Sequence, residues 1–198
     1  MYVHNQLINK KQLSKKIALD ETYLTYQAKG FVNQNRRGIS KDKIGIACAI
    51  DEDGNYVVHT ADRGRPTSST LIDIFKNTIC PGSIVITVSQ RSYRQLIDAL
   101  NIKCVKIPTG EKSKDGYTLE MVNRLHDRIK AFFRGKRNVM THYLQGYLAL
   151  FQYSELHTMM IGSEMFQDEF MKINNILSGV RNKDICPEVN LYKTLYEC

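Results

Sequence analysis

An apolar run that ends in two acids, Lys15–Tyr23 (KKIALDETY), constrains this chain most strongly. Ile17, Ala18 and Leu19 read as a buried strand, with Asp20 and Glu21 at its end. A carboxylate delivered by a rigid strand is a metal-holding device, because the strand fixes oxygen ligands where Mg²⁺ geometry can be enforced. The same residues also fit a solvated turn after an edge strand. The rest of the chain has to separate the two readings.

The apolar spacing predicts strand one over 15–22, after a polar lead-in over 1–14. A basic turn region runs from Gln27-Ala28-Lys29-Gly30 to Asn35-Arg36-Arg37-Gly38, where glycines and arginines suggest a hairpin loop. Strand two is predicted over 43–51 (KIGIACAID), nearly continuous in apolar residues as a central strand is. Asp51-Glu52-Asp53-Gly54 signals a turn into strand three over 55–60. These three strands form an antiparallel meander. A helix comes next, with Thr67, Ser68 and Ser69 as N-cap candidates and Leu71, Ile74 and Phe75 at helical spacing. Ser83–Val88 (SIVITV) reads as a buried fourth strand, 89–101 as a helix, and Lys103–Ile107 as a fifth strand. Residues 108–117 are expected to be a polar loop. Further helices are predicted over 118–134, 141–156 and 163–178, before an irregular tail.

The order β-β-β-α-β-α-β-α with additional C-terminal helices is that of the ribonuclease H-like fold, an α/β architecture with a mixed five-stranded sheet. The corresponding domains are a lead-in at 1–14, a ribonuclease H-like domain at 15–156, and a C-terminal helical extension and tail at 157–198. By analogy with that fold, one acid sits on strand one, a second at the end of strand four, and a third on the helix after strand five. Strand one supplies Asp20. Strand four ends in Val88-Ser89 and supplies none. The late helix offers Glu120, Asn123, His126 and Asp127, with 120, 123 and 127 on one face.

The net charge of +8 raises the expectation of a polyanionic partner. Arg36, Arg37, Arg91 and Arg94 are the best candidates for a DNA-phosphate track, and ordinary solvated surface is the alternative. Lys130 stands seven residues after Asn123 on the same helix face and either reaches a phosphate or is a surface lysine. His126 either ligates metal, points at DNA, or is a packing residue. The five cysteines include no CxxC pair, which argues against a disulfide framework or zinc ribbon. Cys48, Cys80 and Cys104 are expected as buried free thiols in a reducing cytoplasm. There is no signal peptide and no apolar run long enough to cross a bilayer, so no membrane partner is expected.

Several stretches resemble the ISXO2-like transposases of bacterial insertion sequences, a branch of the DDE transposases. Asp20-Glu21-Thr22-Tyr23 with Lys29-Gly30 is similar to the first catalytic motif, and Arg37-Gly38-Ile39-Ser40 is similar to the segment before the second strand. Arg91-Ser92-Tyr93 resembles the end of the second motif, and Asn123–Lys130 (NRLHDRIK) the third. Tyr143-Leu144-Gln145-Gly146-Tyr147-Leu148 with Phe151 resembles the aromatic-leucine helix that closes the domain. The likeness covers about residues 15–153.

The resemblance implies DNA transposition by metal-dependent cleavage and strand transfer on double-stranded transposon ends, with Mg²⁺ or Mn²⁺ in a two-ion site. It implies a bacterial, cytoplasmic and nucleoid-associated protein, a possible homodimer, and no small-molecule substrate. Position by position, Asp20 matches the first catalytic aspartate and Asn123 the third position. The second aspartate falls on Val88, and Ser89 replaces the glycine after it. With Asp20 and Asn123 alone, one formal negative charge faces two dications, so weak metal binding and impaired catalysis are expected. The family's upstream DNA-binding part is also expected to be lacking, as in a fragment or a decayed insertion-sequence product. A non-catalytic DNA-binding or dimerising remnant is the second reading. A basic domain with a protein partner is the third.

Overall fold

The computed structural model describes residues 12–34, 37–88, 91–111, 113–136 and 139–158. They fall in two compact units, one within Lys10–Thr141 and one beginning at His142. The first unit holds β1 (Lys16–Thr25), β2 (Lys43–Asp51), β3 (Tyr56–Arg63), α1 (Ser68–Phe75), β4 (Ile84–Val88), α2 (Arg91–Leu100) and β5 (Lys103–Ile107). A small hairpin, β6 (Ser113–Lys114) and β7 (Tyr117–Thr118), leads into α3 (Glu120–Arg134). The described part of the second unit is α4 (Leu144–Thr158), entered through a 3-10 turn at Thr141–Tyr143. The predicted helix at 163–178 and the tail lie outside the described residues.

The sheet order is β3-β2-β1-β4-β5. β1, β2 and β3 pair antiparallel, whereas β4 lies parallel to β1 and β5 parallel to β4. This mixed five-stranded arrangement is the ribonuclease H-like fold that the element order predicts. β2 is buried along almost its whole length because helices cover both faces of the sheet, which explains its unbroken apolar sequence. One face carries Ile17, Leu19, Ala47, Ala49 and Val85 against Leu71 and Phe75 of α1 and Tyr93 and Leu96 of α2. α3 packs on β1 and β2 and buries Val122, Leu125, Ile129 and Phe133.

Local chemistry sets the boundaries. Asp51 is wholly buried at the end of β2, and its Oδ1 accepts the backbone N–H groups of Asp53 at 3.0 Å and Asn55 at 2.9 Å. That closes the β2–β3 turn, where Gly54 takes φ +84°. Thr67 caps α1 by accepting the Thr70 N–H at 3.3 Å.

Four expectations change. β1 runs to Thr25, so Asp20 sits in mid-strand instead of at its end; Glu21–Thr25 stay extended because they pair with Ala47–Lys43. β3 runs on to Arg63 for the same reason, as the partner of Ile44. The loop at 108–117 contains part of a paired hairpin, β6 with β7. Cys48 is buried, but Cys80 and Cys104 are only half-buried, all three as free thiols. Among the described residues no helix is long and apolar enough to cross a membrane.

Candidate functional site

Register places Asp20 in a row that crosses the sheet. It lies opposite Cys48 of β2, which lies opposite Val58 of β3. On the other side, Leu19 with Thr87 is the last registered pair of β1 and β4, so the next step sets Asp20 beside Val88. Val88 in turn faces Ile107 of β5. Residues in register across neighbouring strands share a face, at strand spacings of about 4.8 Å. By that extension of the register the position next to Asp20 is held by a half-buried valine, which also packs against the apolar cluster of the α1–α2 face.

Burial pushes the Asp20 carboxyl up to about 6; a backbone hydrogen bond at Glu21 draws it back, and the Glu21 charge adds to the rise. The Cys48 thiol is pushed up by burial first and by the Asp20 charge next, with Lys130 pulling it down. Lys130 is exposed on α3, within electrostatic reach of this row.

From α3, His126 enters against β1. It is 6% exposed, and its Nε2 has no hydrogen-bond partner among the described residues. Burial and then the Lys130 charge push it down to about 4, while the Asp20 backbone and the Asp127 charge oppose this. It is a neutral imidazole at neutral pH. Asn123, one turn earlier, is exposed. The β1–β4 register, extended by one step, sets Val88 beside Asp20, His126 lies against the Asp20 backbone, and Asn123 and Lys130 stand at the surface of α3. Sequence alone does not choose among the roles open to His126. Its spacing from Asn123 is visible there, but its burial toward Asp20 depends on how α3 lies on the sheet.

Glu21 points the other way. It is buried on the α1–α2 face, where burial and then its charge raise the Tyr93 hydroxyl. Tyr23, two residues on, is also raised, by burial and then by Glu21, with Arg65 lowering it. The acidic pair at 20–21 is therefore split between the two faces, as alternation along a strand requires.

Among the DNA-contact candidates, Arg37 is exposed in the β1–β2 loop and Arg94 is exposed on α2. Arg91 is the first residue of α2. Arg36 lies outside the described residues.

The model of the ISXO2-like transposase domain family matches residues 12–155. No curated protein matches the chain. Among solved structures, a chain is similar in the cryo-electron-microscopy structure of the simian T-cell lymphotropic virus intasome in complex with the PP2A regulatory subunit B56 gamma. It is 16% identical, with a TM-score of 0.48 over 70% of this chain and 48% of that one. The protein spans about half the length of the chain it matches there.

Proposed function

Because the chain belongs to the family of ISXO2-like transposase domains, we propose that it engages double-stranded DNA as a transposase domain whose metal-holding set is one carboxylate short. In a two-ion site, divalent cations activate the attacking oxygen and stabilise the leaving one during in-line displacement at a phosphodiester. Such ions need several oxygen ligands and enough negative charge to offset their own.

The residues present do not fit that requirement. Asp20 supplies one carboxylate, the Asn123 side chain supplies a neutral amide oxygen, and the Val88 isopropyl group has no lone pair to offer. Among the described residues, no group of three or more His, Cys, Asp or Glu side chains is placed to hold a metal ion. The supporting observation is the register that makes Val88 the neighbour of Asp20. The role that remains for the chain is phosphate binding, with Arg37, Arg94 and Lys130 as contacts, and cleavage or joining that is weak or lost.

The test is DNA cleavage and strand joining on oligonucleotide ends with Mn²⁺. The unmodified chain is expected to be near background and Val88→Asp to gain activity that Asp20→Ala removes. Robust activity of the unmodified chain, abolished by Asp20→Ala, would overturn the proposal.

A further inference from the structure

The end of the sheet beyond Asp20 carries a charge cluster of its own. β1 and β2 continue past Asp20 to the Thr25–Lys43 pair, and β3 ends with Arg63 opposite Ile44. This end and its loops hold Lys29, Arg37, Lys41, Lys43, Arg63 and Arg65. Lys29, Arg37, Lys41 and Arg65 are exposed, and Lys43 and Arg63 are half-buried. Among the described residues, none of the six is in an ion pair. The two acids in the same stretch are engaged by neighbouring residues. Asp62 accepts the Thr67 N–H at 2.6 Å and the Thr70 hydroxyl at 2.9 Å. Asp42 is buried and accepts from the Ser40 hydroxyl at 3.4 Å.

The cluster is also preorganised. The Arg63 guanidinium lies 4.0 Å from the Tyr26 ring centroid and 4.5 Å from that of Phe31. The two rings meet edge to face at 4.9 Å. Arg63 donates its Nε–H to the Lys41 carbonyl, and Gly64 donates its N–H to the Lys43 carbonyl at 2.7 Å. Stacking and that one hydrogen bond fix the guanidinium plane, so its other donors are held ready for a phosphate at little entropic cost. The same contacts hold the Lys41 turn against the end of β3.

We propose that this end of the sheet is a second contact for the phosphate backbone of duplex DNA, about half a helical turn from Asp20. The inference rests on the transposase reading. Five strand residues from Asp20 to Thr25, at about 3.3 Å each, span roughly 17 Å. At about 3.4 Å per base pair, that is roughly five base pairs. A duplex lying past Asp20 along β1 presents phosphates at that distance. An acidic protein surface would satisfy the charge but carries no such repeat.

The experiment is the salt dependence of duplex binding by the full chain. Lys29, Lys41 and Arg65 are replaced together by alanine; all three are exposed. A control variant replaces Lys103 and Lys106, exposed on the edge strand β5, and Lys114, exposed on the β6–β7 hairpin, in the same way. Each lost phosphate contact removes about 0.9 from the slope of log K against log salt, so the first variant should lose about 2.7. The control should change far less, and a hydroxyl-radical footprint should shorten from one end in the first variant only. Equal slope losses in the two variants, or an unchanged slope in the first, overturn this contact and leave the transposase reading standing. Binding of polyglutamate as tight as that of duplex at equal salt also overturns it, in favour of an acidic protein. Absence of any salt-dependent duplex binding by the unmodified chain overturns both readings.

Discussion

Replacing Val88 with aspartate sets a second carboxylate one step beyond Leu19–Thr87, the last registered pair of β1 and β4, and so about one strand spacing from Asp20. Two like charges about 4.8 Å apart, at an effective dielectric near 20, repel by roughly 3 kcal/mol. Asp20 is already reluctant to ionise, since burial holds it up at about 6. The pair therefore keeps a proton at neutral pH or bears the repulsion, and either state costs about the same. The half-buried Val88 side chain also leaves the apolar cluster, at about 1 kcal/mol. The sum, roughly 4 kcal/mol, lowers Tm by about 8–16 °C for a domain of this size. A cation that binds both carboxylates reverses most of this. At one hundred times its Kd it returns about 2.7 kcal/mol, or roughly 5–11 °C. The assay is differential scanning fluorimetry of the full chain and of Val88→Asp, in EDTA and in a Mn²⁺ series. The unmodified chain should move by less than about 1 °C on this reasoning, since it has one carboxylate in the row. An equally large Mn²⁺ shift in the unmodified chain would show that Asp20 needs no partner at position 88. A Val88→Asp chain that does not respond would show that the two positions do not share a ligand.

Acid titration separates Asp20 from His126. The Asp20 carboxyl rests at about 6 against an ordinary 3.8, so its burden on the folded state is full above pH 6 and relieved as pH falls toward 3.8. His126 rests at about 4 against an ordinary 6.5, so the stability tied to its neutral form is lost as pH falls from 6.5 to 4. Each amounts to roughly 3 kcal/mol at about 1.36 kcal/mol per pH interval, and the two oppose each other. From pH 7 to 4 in urea denaturation, Asp20→Asn should lose about 3 kcal/mol relative to the unmodified chain and His126→Gln should gain about as much; parallel profiles would refute the assignment. Thiol labelling in the native state, mapped by peptide mass spectrometry, should reach Cys48 after Cys80 and Cys104, because Cys48 is buried and held protonated. Labelling of Cys48 at the rate of Cys80 would show that the sheet opens under α3.

The order of elements is legible in the sequence because each strand carries its own signature. Lys43–Asp51 is apolar on both faces, and its predicted and observed limits coincide, since both ends are set locally by the Lys43 turn and the Asp51 carboxylate. The extension of β1 to Thr25 is not legible. Tyr23, Leu24 and Thr25 lead into the basic turn region, and they stay extended because β2 lies alongside them. The β6–β7 hairpin is hidden for a related reason: two-residue strands carry no alternation to detect, and the pairing of Lys114 with Tyr117 is known only from the fold.

The site divides along the same line. That position 88 comes next to Asp20 follows from strand order together with the register of β1 and β4, whose last pair is Leu19 with Thr87. That His126 is buried toward Asp20 depends on the azimuth at which α3 sits on the sheet, a quantity that its own spacing leaves free. His126 shares the buried face of α3 with Val122, Leu125 and Ile129, whereas Asn123 and Lys130 lie on the exposed face. A helix rotated by one residue would exchange them. The packing of Leu125 and Ile129 therefore decides which α3 side chains can approach the acid. Val88 lies on another element, β4, and is itself held by apolar contacts, so the packing of α3 does not hinge on it. On the proposed reading, the fold of the site and its capacity to hold a metal are therefore separable in this chain. Val88→Asp tests both at once: on the proposed reading it should gain Mn²⁺ binding, at the stability cost worked out above, in a chain that still folds.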